Sequence, residues 1–91
     1  MVEHDPAVHL TRDRQIDTVR RALRGLPVSY REVVVLCDLQ ELTYVEAAQV
    51  VGCAIGTIRS RLHRGRTLLG AQLRHEQRGL MRRSTAPGWV I

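Results

Sequence analysis

Between Gly56 and Thr67 the chain places small, hydroxyl-bearing and cationic side chains at helical spacing. At about 100° per residue, Gly56, Thr57, Ser60, His63, Arg64 and Thr67 fall on one face, with Arg59, Arg61 and Arg66 on its flanks. The chemistry open to such a stripe is recognition. A guanidinium grips guanine through two parallel N–H donors, and Ser or Thr hydroxyls bond to several base edges, so the stripe suits the major groove of duplex DNA. Taken alone, it reads equally well as a solvated basic surface. Neither Ser/His/Asp, nor paired carboxylates, nor a Gly-rich phosphate loop occurs in the sequence, so no catalytic constellation competes with the binding reading.

What decides between the two readings is the stretch that must position the stripe. Thr43 followed three residues later by Glu46 is a capping box, in which each side chain satisfies the other's free backbone N–H, and it predicts a helix from Tyr44. That helix runs through Val45, Ala47, Ala48 and Val51 and ends at Gly52, which tolerates a left-handed backbone. After Cys53 and Ala54, apolar residues recur at Ile55, Ile58, Leu62, Leu69 and Leu73, the face of a second helix. Two helices so close in sequence cross steeply. Ala48 permits the close approach, while Val51, Cys53 and Ile58 fill the crossing, and the pair reads as a helix-turn-helix.

Upstream, a first helix is expected from Asp13 or Asp17, with Ile16, Val19, Leu23 and Leu26 on one face. Arg20, Arg21 and Arg24 lie near its C-terminal end, where cations complement the helix dipole, and Gly25 and Pro27 close it. Ser29 with Glu32 offers a second capping box. The run Val33 to Cys37 has the composition of a buried strand, but with no second strand to pair with it is read as the central helix of a small bundle. Residues 1–12, interrupted by Pro6, read as a flexible tail, 13–76 as the domain, and 77–91 as a C-terminal tail with helix extending to about 83. There, Trp89, Val90 and Ile91 read as a loose end able to dock on the domain or on a neighbour.

Composition narrows the class. Ninety-one residues, 44% of them hydrophobic but with no Phe, two Tyr and one Trp, fit one helical domain with an aliphatic core rather than an enzyme-sized pocket. Charge is polarised: residues 1–54 hold six Arg against eight acids, whereas residues 55–91 hold eight Arg against Glu76. One end of the molecule thus faces a polyanion. The basic helix lacks the bulky apolar face of a membrane-surface anchor, so nucleic acid is the better partner than a membrane. With no apolar run of 18 residues and no signal-like N-terminus, the expected location is cytoplasmic. Cys37 and Cys53 stand singly and His4, His9, His63 and His75 lack ligand spacing, so neither metal nor cofactor is expected.

The run LPVSYREVVVLCDLQELTYVEAAQVVGCAIGTIRSRLHRGR resembles region 4 of bacterial sigma factors, specifically those of the extracytoplasmic-function (ECF) group. The matching pieces are Leu26-Pro27, Arg31-Glu32-Val33, Leu42-Thr43-Tyr44, Glu46, Ala48, Gly52 and, most specifically, Gly56 through Arg64. The resemblance covers roughly residues 15 to 74. Ala47, Gly65 and Gly70 depart from the family's usual residues.

It implies an all-α, four-helix domain, of the winged-helix-like class without a wing. It also implies recognition of the minus-35 element of promoters, docking on the β-subunit flap of RNA polymerase, and occlusion by an anti-sigma factor. By position, Arg59, Ser60, His63 and Arg64 become base-side candidates, joined by Thr57 on the helical wheel. Arg61 and Arg66 are placed for phosphates, as are the backbone N–H groups at Thr43 and Tyr44. A groove for the partner helix is expected, lined by one or two of Val34, Val35 and Leu39 with Leu23 and Leu26 beside them, the alternative being that all five are core. ECF factors also carry a region 2 that melts the minus-10 element, which implies that the chain is a fragment or an isolated domain. Two other readings stay open, a LuxR-type regulator output domain and a protein-interaction module without DNA binding.

Overall fold

A computed structural model describes the backbone of residues 6–84 and the side-chain surroundings of residues 12–79. Helix α1 spans Pro6–Arg24 and α2 spans Val28–Val34, running straight into a wider π-helical turn at Val35–Leu39. Helix α3 spans Tyr44–Val51 and α4 spans Ile55–Ser84. The described residues contain no strand, so the fold is all-α, and the run Val33 to Cys37 is helical.

Helix α1 starts ahead of Asp13, so residues 6–12, expected as tail, are helical. Pro6 reads as an interruption only inside a helix; at the first helical position its missing N–H has no intrahelical partner to lose. The part of the expected tail at residues 1–5 lies outside the described residues. The Ser29–Glu32 capping box does not form. Pro27 takes the N-cap position with φ −54° and ψ 147° and no side-chain cap. Its carbonyl accepts from the N–H groups of Tyr30 at 3.1 Å and Arg31 at 3.0 Å, so the helix starts one residue before Ser29.

The helix-turn-helix forms as its capping residues dictate. Thr43 Oγ1 accepts from the Glu46 N–H at 3.1 Å, and the Thr43 N–H donates to Glu46 Oε1 at 2.8 Å. At the other end Gly52 sits at φ 79°, and the N–H groups of Gly52 and Cys53 both donate to the Ala48 carbonyl, at 2.8 and 3.1 Å. Between α2 and α3 the chain widens: the Gln40 N–H reaches the Val35 carbonyl at 2.9 Å and the Leu42 N–H reaches that of Leu36 at 3.0 Å. Glu41 follows at φ 60°, a left-handed conformation that costs a non-glycine residue about 1 to 2 kcal/mol. The widened turn sends Leu39 outward, 56% exposed.

Helix α4 is the common wall, packing against α1, α2 and α3. Ile58 and Leu62 are buried at 0% and 1% exposure among Leu23, Leu26, Val33, Val34, Ala47 and Ala48. Two residues expected in the partner groove are therefore core, Leu26 and Val34, both almost fully enclosed, while Leu23 is buried in the same cluster and also lines a groove on α1. Val35 is half-buried against the same cluster, and only Leu39 is open. The reason is α4 itself, which packs against both α1 and α2 and covers Leu26 and Val34. Helices α1 and α4 run antiparallel, tied by Arg21 Nε to Glu76 Oε2 at 3.3 Å and Gln72 Nε2 to the Gly25 carbonyl at 3.5 Å.

Two glycines of α4 play opposite parts. A Cβ at Gly65 would lie 2.8 Å from Val34 Cγ2 and 3.2 Å from the Tyr30 carbonyl oxygen, so its absence sets how near α4 lies to α2. A Cβ at Gly70 would meet nothing closer than the Arg74 guanidinium at 3.6 Å. Gly70→Ala should therefore stabilise the domain by the helix-propensity gain of about 0.5 to 1 kcal/mol. Gly65→Ala should lose about 1 kcal/mol or more, because overpacking outweighs the same gain. Thermal melts of the two variants check the contrast, which fails if both shift in one direction.

Candidate nucleic-acid interface

Because Ile58, Leu62 and Gly65 are buried, the opposite side of α4 must face solvent. Arg59, Ser60, His63, Arg64, Arg66 and Thr67 are exposed there, with Gly56, while Thr57 and Arg61 are half-buried at the edges. The two hydroxyls nearest the middle are parked on their own helix: Ser60 Oγ donates to the Thr57 carbonyl at 3.1 Å and Thr67 Oγ1 to that of His63 at 3.1 Å. Such local bonds leave the hydroxyl oxygens open as acceptors, and rotation about one torsion turns the hydrogens outward. His63, Arg64 and Thr67 also border a shallow recess of about 500 Å³ shared with Tyr30 and Leu68. Sequence reasoning missed Tyr30 and Leu68, since one belongs to α2 and the other precedes the apolar Leu69; only the packing of α4 on α2 puts them beside the stripe.

At its start α4 is joined to α3. The Arg59 guanidinium lies 5.9 Å from the centroid of the Tyr44 ring, a cation–π distance, which brings Tyr44 and Thr43 to the same edge as the stripe. The expected phosphate site at that helix start is weakened from within. Both amides of the capping box are already engaged, and the Thr43 N–H holds the Glu46 carboxyl below the usual carboxylate range, so a negative charge stands at the same helix end.

Arg66 is a clearer correction. Its Nε donates to Asp38 Oδ2 at 2.9 Å and its Nη2 to Oδ1 at 2.6 Å, a fork-on-fork pair that commits the guanidinium to the π turn rather than leaving it free for a phosphate. The pairing holds the Asp38 carboxyl below its usual range and raises the already basic Arg66. Nothing in the local spacing of α4 signals a partner twenty-eight residues earlier. The neighbouring Cys37 thiol is pushed up, first by burial and then by Asp38, which suits an inert side chain. Cys37 and Cys53 are both free and half-buried, and the described residues contain no cluster of ligating side chains that could hold a metal.

A second surface lies away from the stripe. Ile16, Val19 and Leu23 of α1 and Leu39 of the π turn line an apolar groove of about 370 Å³, together with Arg12, Gln15 and Arg20. Leu39 and Leu23 were expected in such a groove. Ile16 and Val19 were instead assigned to the core face of α1, and Ile16 is in fact 42% exposed.

The Asp38–Arg66 pair yields a pH dependence. A carboxyl held below its unfolded value contributes stability in full above about pH 4, and that contribution disappears as the pH falls through the lowered value. With the two side chains 32% and 54% exposed, solvent screening limits the contribution to about 1 kcal/mol. Asp38→Asn should thus lower the melting temperature at neutral pH and reduce its fall in acid, as followed by circular dichroism. A variant with the wild-type acid profile would show that the pair contributes nothing.

Residues 16–69 match the family described as Sigma-70, region 4. Over 51 residues the chain is 47% identical to the ECF RNA polymerase sigma factor SigE of Mycolicibacterium smegmatis, covering 56% of this chain and 20% of that protein. It is 38% identical over 58 residues to the ECF RNA polymerase sigma factor SigW of Bacillus subtilis, covering 64% and 31%. It is also 38% identical over 72 residues to the ECF RNA polymerase sigma factor SigM of Mycobacterium tuberculosis, covering 76% and 37%. The chain thus spans between 20% and 37% of the length of these relatives. The family match takes in α2, the π turn, α3, and both the buried seam and the exposed stripe of α4, and the chain belongs to the Sigma-70 region 4 family, as a region 4 domain of the ECF group.

Proposed function

We propose that this domain reads the minus-35 element of promoters, laying α4 in the major groove while its α1 side docks on RNA polymerase. The observation that carries this is the two-sidedness of α4: one side is sealed into the core by Ile58, Leu62 and Gly65, and the other presents Arg59, Ser60, His63 and Arg64 to solvent. Arg64 and Arg59 suit guanine edges, Ser60 and His63 supply further polar contacts, and Thr57 borders the same face. Arg61, at the half-buried edge, is the phosphate contact, whereas Arg66 is held by Asp38. The α1 groove, to which Leu39 and Ile16 contribute exposed apolar side chains, fits an apolar helix such as that of the β-subunit flap, and an anti-sigma helix would compete for it. Membership of the sigma family removes the reading as a LuxR-type output domain. The location implied is that of RNA polymerase, the cytoplasm; among the described residues no helix is long and apolar enough to cross a membrane.

Duplex titration over a salt series tests this. Each phosphate contact adds about 0.9 to the slope of log K against log salt, so Arg61→Ala should lower that slope by about one unit on every sequence. Arg66→Ala should leave the slope unchanged, since its charge is already paired. Arg64→Ala should remove about 1 to 3 kcal/mol of base discrimination with the melting temperature intact. Binding insensitive to salt, or sequence preference that survives Arg64→Ala, would overturn the reading.

A further inference from the structure

Helix α2 has a part in the DNA contact as well. We infer that the recess between α2 and α4 takes one phosphate of the duplex with its deoxyribose, and that Tyr30 and Thr67 are its uncharged contacts. This inference rests on the reading of α4 as the DNA-binding helix, and it adds a second element to that surface.

The path of α4 supplies the first reason. At about 1.5 Å per residue its 30 residues run about 45 Å, whereas the major groove is about 12 Å wide and admits one helix. A straight helix whose early turns read bases must therefore leave the groove farther along. With Arg59 to Arg64 centred in the groove, Thr67 lies about 8 Å beyond their midpoint, against a half-width of about 6 Å. Thr67 thus stands over the sugar-phosphate wall, past the base edges.

The lining of the recess at that point supplies the second. It measures about 500 Å³ and is bordered by Tyr30, His63, Arg64, Thr67 and Leu68, with no acidic side chain among them. Gly65 brings Tyr30 there: a Cβ at Gly65 would lie 3.5 Å from Tyr30 Cβ, so α2 delivers its phenol between the turn of His63 and Arg64 and that of Thr67 and Leu68. Tyr and Thr hydroxyls are both ordinary donors to phosphate oxygens. The Thr67 hydroxyl, which donates to the His63 carbonyl at 3.1 Å, turns outward by rotation about one torsion. Leu68, 39% exposed, and the Tyr30 ring offer apolar surface to the sugar.

Because neither hydroxyl is charged, their contacts release no counterion, and their loss should weaken binding without changing its salt dependence. The full chain is titrated with a duplex selected from random sequence for binding. Tyr30→Phe and Thr67→Val should each lower affinity about two- to ten-fold, the loss expected for one neutral hydrogen bond, with the wild-type salt slope and sequence preference. Single phosphates replaced by uncharged methylphosphonate should locate the contact. One position flanking the base pairs that Arg64 reads should weaken the wild type and affect Tyr30→Phe less. If Tyr30→Phe loses helical circular dichroism, Thr67→Val, at an exposed position, decides. Wild-type affinity in both variants, while Arg64→Ala still removes sequence preference, would overturn this inference and leave the promoter reading standing. A chain that binds no duplex would overturn both.

Discussion

The structure depends on a narrow seam along α4. Ile58 and Leu62 are sealed from solvent, and Gly65 brings the backbone of α4 close enough to α2 that even one added carbon would meet Val34 and Tyr30. Burying each of the two large side chains is worth about 1.5 to 3 kcal/mol, a substantial part of the 5 to 15 kcal/mol that holds a typical domain together. The seam also fixes the rotation of α4 about its axis, and with it which side chains can leave the surface together. The exposed stripe of Arg59, Ser60, His63 and Arg64 is thus a consequence of the core.

The Asp38–Arg66 pair joins the two surfaces of the domain. Asp38 sits in the π turn, next to Leu39 of the apolar groove, and Arg66 sits on α4 three residues beyond His63 of the stripe. The wide turn and the left-handed Glu41 form the strained part of the fold, and they place a carboxylate against α4 and a leucine against solvent in adjacent positions. One turn therefore carries both the carboxylate that grips α4 and the leucine that lines the apolar groove. Widened turns of this kind recur at functional positions in helical proteins.

The features legible in the sequence were those set by neighbours in the chain. Thr43 and Glu46 cap each other, Gly52 ends a helix through its own backbone freedom, and the periodicity of Ile58, Leu62 and Leu69 gives the orientation of α4. Local patterns mislead in two ways, where a neighbouring residue starts a helix first and where a distant partner decides. Ser29 and Glu32 have the spacing of a capping box, yet Pro27 starts the helix first. Leu26 and Val34 resembled surface residues until α4 covered them, and Arg66 resembled a free cation because Asp38 lies on another element. Pro6 was read as a break although it opens a helix. For Leu26, Val34 and Arg66 the outcome is set by a contact that no local pattern contains, whereas Pro27 and Pro6 act locally, one as an earlier helix start and the other as a first helical residue.

The most direct test of the relation between seam and stripe is an amide chemical-shift map of the isotope-labelled chain, titrated with a duplex selected from random sequence for binding. If the core orients α4 as described, the largest changes will fall on Thr57, Arg59, Ser60, His63 and Arg64, while Ile16, Val19 and Leu39 stay still. Changes centred on the α1 groove with a silent stripe would contradict it.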